Sequence, residues 1–108
     1  MPIPGTKTVE TVKNFLEGRE GKGGSISART TDAGLTLFSY DEPIALLDDR
    51  MKTVYAELDW KYSRTTTRHR ALLSSAAAAS GHEVQRLSRE EIRARTGLDP
   101  HAPPPRLY

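Results

Sequence analysis

The residues best suited to chemistry fall in one run, KYSRTTTRHR from Lys61 to Arg70, which holds four formal positive charges and no acid. It sits where an alternating pattern gives way to a helical one, so it spans a strand end, a turn and a helix start. A helix N-terminus presents free amides and a partial positive charge, and it attracts phosphate. Lys61, Arg64, Arg68 and Arg70 can neutralise phosphates, and Thr65, Thr66 and Thr67 can donate hydroxyls. Trp60 or Tyr62 can stack on a base. His69 can touch a ligand or respond to pH. The same residues also have a plain structural use. Threonine is a standard N-cap, and arginines on the exposed face of an amphipathic helix are usually solvated. Cations at a helix N-terminus oppose the dipole, a small cost that hints at a use.

A second group is acidic. Asp48, Asp49, Glu57 and Asp59, with Lys61, sit on or beside one hairpin. Their spacing superficially resembles the D…(D/E)xK pattern of metal-dependent nucleases, in which carboxylates hold Mg²⁺ and a lysine helps position water. Ordinary polar hairpin chemistry explains the same residues, and alternation puts Glu57 and Asp59 on a wet strand face. A third group is aromatic: Tyr40, Tyr55, Trp60 and Tyr62, at or near strand ends, have the character of protein-interface anchors.

Other chemistries find no support. The chain has no cysteine, which removes thiolate metal sites, disulfides and a cysteine nucleophile. His69, His82 and His101 form no pair at metal-ligand spacing. No GxSxG nucleophile elbow occurs. No cofactor or metal is expected.

The elements that must position these residues follow from the pattern. Thr8 to Leu16 reads as a short helix, with Thr8 as N-cap and Val9, Val12, Phe15 and Leu16 along one face. Gly18 ends it. Residues 17–25 carry four glycines and read as a mobile linker. Candidate strands follow at Ile26–Thr31, Leu35–Tyr40, Ile44–Leu47 and Lys52–Trp60, broken by Asp32-Ala33-Gly34, by Asp41-Glu42-Pro43 and by a turn over 48–51. In the last strand Val54, Ala56, Leu58 and Trp60 alternate with Tyr55, Glu57 and Asp59, one face buried and one wet. Thr65 to Ser80 is a four-turn helix with Leu72, Leu73, Ala76 and Ala77 on one face. Gly81 caps it, and His82–Leu87 has the makings of a further strand. Ser88 and Glu91 match a capping box for a short helix closed by Gly97.

The expected fold class is therefore α+β: a small antiparallel meander of about four strands with one main helix packed on it, plus short N- and C-terminal helices. The expected division is a helix and linker over 1–25, a single domain over 26–99 and a Pro-rich disordered tail over 100–108. With 108 residues and 36% hydrophobic content the chain has the size of one domain. Neither an apolar leader nor an 18-residue apolar run occurs, so no membrane role is expected. The formal net charge of +2 is too small to identify a nucleic-acid binder; only its distribution can.

The stretch from Phe38 to Leu72 resembles an uncharacterised family of small bacteriophage and prophage proteins. Ser39-Tyr40, Pro43-Ile44-Ala45, Val54-Tyr55 and the Lys61–His69 segment carry the likeness. It implies a phage or mobile-element origin, a strand–strand–helix layout and a place in the cytoplasm of a bacterial host. It implies no activity. The expectation is a binding protein rather than an enzyme, with a host protein or nucleic acid as partner and homodimerisation by the same surfaces as a third possibility.

Overall fold

The computed structural model describes residues 6–58 and 64–97. Nine elements occupy them: α1 (Thr6–Leu16), β1 (Gly21–Gly23), β2 (Ile26–Thr31), β3 (Gly34–Ser39), β4 (Glu42–Asp48), β5 (Thr53–Ala56), α2 (Arg64–Ala79), β6 (Glu83–Arg86) and α3 (Arg89–Arg95). The strands form one sheet in sequence order, antiparallel from β1 to β5, with β6 added parallel to β5.

The fold class is α+β, but the sheet has six strands rather than about four, and it is mixed. Two departures account for this. The glycine-rich stretch expected as a linker carries β1, a short edge strand paired with β2. Glycine is required there by contact: a Cβ on Gly23 would lie 2.4 Å from the Lys7 carbonyl oxygen, so only a bare backbone lets α1 pass over the strand. The second departure is β6. Its predecessor β5 is reached again only after α2, and a strand–helix–strand crossover yields a parallel neighbour rather than another hairpin.

Alternation along the strands sorts the core. Ile26, Ala28, Leu37, Ala45, Val54 and Ala56 are buried on the inner face against Val12, Phe15 and Leu16 of α1 and Leu73 and Ala77 of α2. α1 thus packs into the same core as the strands. Leu46 and Tyr55 lie opposite each other on the outer face, where Leu87 and Ile92 cover them as α3 closes over. The helices thus flank the sheet on both sides.

Several boundaries shift. α1 starts before Thr8, which lies inside the helix, and Val9 is exposed. Glu42 and Pro43, expected to break the chain, open β4, with Pro43 paired to Phe38 beside a bulge at Leu37/Phe38. Proline is tolerated at a strand start or next to a bulge, where its missing N–H leaves no gap in the ladder. β5 ends at Ala56; the expected continuation through Asp59 and Trp60 and the tail over 100–108 lie outside the described residues. Gly18, Gly81 and Gly97 take positive φ where helices end, and Ser88 and Glu91 form the expected capping box. No helix among the described residues is long and apolar enough to cross a membrane.

Candidate functional site: the carboxyl end of the β5–α2–β6 crossover

Because β5 and β6 run parallel and α2 returns between them, the start of α2 stands at the carboxyl end of both strands. In open α/β sheets this is where ligands gather, since helix N-termini and strand-end loops converge there. β3 also ends here, at Ser39, and β4 begins here, at Glu42, its partner in the ladder.

The helical period divides the basic run at this place. Thr66, His69 and Arg70 turn inward and are buried, whereas Arg64 and Arg68 are exposed and Thr65 is half-buried. Ser39 Oγ lies 2.9 Å from Thr66 Oγ1 and 2.8 Å from His69 Nδ1, joining the first turns of α2 to the end of β3. Burial lowers the His69 pKa from its ordinary 6.5, because a charged imidazole would lose its hydration there. Arg70 reaches Glu57, just past β5, whose own N–H donates to the Ile44 carbonyl. Glu57 is therefore buried and ion-paired, not on a wet face as alternation predicted. Beyond Ala56 a neighbouring helix has replaced solvent on that side.

A second buried carboxylate lies one strand away. Glu42 accepts from Arg93 Nη1 at 2.6 Å and lies 3.4 Å from Arg89 Nε. Arg89, Ile92 and Arg93 share one face of α3, so two guanidinium groups and one apolar side chain clamp this short helix to the sheet. Sequence reasoning missed Ser39, Glu42, Arg89 and Arg93 as site residues, and it placed Glu57 in the acidic hairpin rather than beside Arg70. The readable signal was the spacing of Arg89 and Arg93 around Ile92, the pattern of a buried stripe; nothing local marked Glu42 as a buried carboxylate or paired Glu57 with Arg70.

Ser39 and His69 are in contact, but Ser39 is fully buried and its hydroxyl is shared with Thr66, so a substrate carbonyl has no approach to it. Among the described residues the acidic hairpin does not assemble. Asp48 ends β4 opposite Thr53, whereas Glu57 lies four residues on, roughly 13 Å along the strand. Among the described residues no group of three or more His, Asp or Glu side chains could hold a metal. Asp59, Trp60, Lys61 and Tyr62 lie outside the described residues. Of the two described aromatic candidates, Tyr40 sits in the β3–β4 turn, while Tyr55 is half-buried beneath α3 with the Arg95 guanidinium 5.9 Å from its ring centre.

Residues 5–92 match the model of a family of unknown function, DUF8033, and the chain belongs to that family. No curated protein and no solved structure matches it.

Proposed function

We propose that this chain is a non-catalytic nucleic-acid-binding protein that grips the phosphate backbone through the outward side of the first two turns of α2. One observation carries the reading. Arg64 and Arg68 stand one helical turn apart, exposed and without an ion pair among the described residues, at the carboxyl end of the parallel pair. Their neighbours Thr66, His69 and Arg70 anchor the same turns to the sheet, so the two cations ride on a braced platform. α2 contains no acid to neutralise them. Cations at a helix N-terminus oppose the dipole, and a phosphate between them reverses that cost.

Lys61 immediately precedes this platform in sequence and is assigned to the same contact, with Trp60 or Tyr62 as stacking groups for an unpaired base. A phage origin, taken from the resemblance, fits such a partner, since host and phage nucleic acid share the bacterial cytoplasm.

Fluorescence anisotropy with labelled duplex and single-stranded DNA tests the reading. Binding is expected at low salt for any sequence, with affinity falling linearly on a logarithmic salt axis. Replacing Arg64 and Arg68 by alanine should weaken it for all sequences and reduce the salt slope by about one unit per lost phosphate contact. Absence of binding at low salt by the wild-type protein overturns the proposal, and capture of a nuclease-resistant host protein would then favour a protein partner.

A further inference from the structure

On the outer face of β1–β3, the half of the sheet that α3 leaves open, a groove of about 350 Å³ lies between two hairpin turns. That size is near the lower end of small-ligand sites. Its walls include Lys22, Ser25, Ser27, Arg29, Tyr40 and Asp41. Lys22 faces Ser27 across the ladder, and Arg29 follows two positions on, so all three share a face. The Arg29 guanidinium is set flat by Phe38, 4.0 Å from its ring centre. Neither Lys22 nor Arg29 has an ion pair among the described residues.

The backbone at this groove is unusual. Ser39 pairs with Glu42, so Tyr40 and Asp41 form a two-residue turn, and Tyr40 occupies it at φ 58°. Glycine or asparagine takes that conformation readily; an aromatic residue does so at a cost. The Tyr40 N–H donates to the Ser25 carbonyl, tying this turn to the β1–β2 turn across the groove mouth. A strained residue held by such contacts at the rim of a cleft is the arrangement found where a ligand needs that side chain.

We infer that this groove is a binding site for a sugar phosphate, distinct from the α2 platform and on the opposite face of the sheet. Lys22 and Arg29 hold the phosphate as a pair of charge-assisted donors, with the serine hydroxyls beside them. Asp41 repels a bare anion but accepts hydrogen bonds from sugar hydroxyls. The Tyr40 ring supplies the flat wall against which a sugar packs. A free sugar phosphate and the backbone of a single nucleic-acid strand share this chemistry.

Amide chemical-shift titration of the wild-type chain with ribose 5-phosphate, inorganic phosphate and a short single-stranded oligonucleotide tests the inference. Ribose 5-phosphate should give saturable shifts at Lys22, Ser25, Ser27 and Tyr40. Inorganic phosphate should bind more weakly, and Asp41→Asn should narrow that difference. Arg29→Ala should weaken ribose 5-phosphate by about tenfold, the loss of one charge-assisted hydrogen bond. Lys22→Ala is a second variant that leaves the Phe38 stack intact. Tyr40→Gly relieves the backbone strain, so it should keep the wild-type melting temperature or raise it while weakening the sugar phosphate. Oligonucleotide shifts at the same amides would name a strand backbone as the source; their absence beside sugar-phosphate shifts would name the free ligand. Replacing Arg64 and Arg68 should leave the ribose 5-phosphate shifts unchanged, so failure of the α2 platform and failure of the groove are separable. No saturable shift with either sugar-bearing ligand, or Tyr40→Gly binding as tightly as wild type, overturns the inference.

Discussion

On the inner side of the first two turns of α2, Thr66, His69 and Arg70 are buried against Ser39 and Glu57, whereas on the outer side Arg64 and Arg68 stand in solvent. The two sides come from one basic run with the same residue types. Residue type did not assign their roles; the 100° step of the helix did, once the sheet had chosen which side to cover. The inner side is a brace and the outer side a surface, and substitutions should separate them.

The largest effect is expected at the ion pair. Glu57→Ala leaves Arg70 buried beside a missing carboxylate and should cost about 3–5 kcal/mol in urea unfolding. Replacing both partners by apolar residues of similar volume should recover most of that loss, because no charge is then left uncompensated. A Glu57→Ala variant as stable as wild type would remove the brace from the comparison.

Ser39→Ala deprives His69 Nδ1 and the Thr66 hydroxyl of a shared partner and should cost about 1–3 kcal/mol. A smaller, pH-dependent effect belongs to His69. Its folded pKa lies below the ordinary 6.5, so the unfolded chain takes up the proton first. Stability should be complete above that value and fall as pH drops from there toward the folded pKa, by at most about 1.4 kcal/mol per pH unit. Urea midpoints between pH 8 and pH 5 should show the slope in wild type and lose it in His69→Leu.

The smallest effect is on the outer side. Arg64→Ala with Arg68→Ala should leave the urea midpoint where it is in wild type, since exposed arginines contribute little to folding. A clear loss of stability would show that these side chains brace the fold too, and would blur the contrast with Arg70.

Much of the layout was legible in the residues. The strand at Ile26–Thr31, the turn before Gly34, the long helix, and the Ser88–Glu91 capping box each rest on local chemistry: alternation, glycine conformation, helix propensity and a side chain that reaches a nearby amide. The failures share a different cause. Residues 17–25 looked like a linker because glycine weakens a strand by itself, but Gly23 is set by the approach of α1. Glu57 looked solvated because alternation separates two faces without saying which element will later cover one of them.

The sequence by itself determined most of the elements, their approximate ends and the concentration of positive charge between Lys61 and Arg70, because each depends on contacts within a few residues. Only the tertiary structure decided that β6 joins β5 in parallel, that Glu42 draws two arginines from α3, and that Ser39 meets His69 thirty residues away. Those pairings depend on which surfaces meet after the chain crosses over the sheet. A buried charge is stable only where its partner arrives from another element, and local pattern carries no record of that partner.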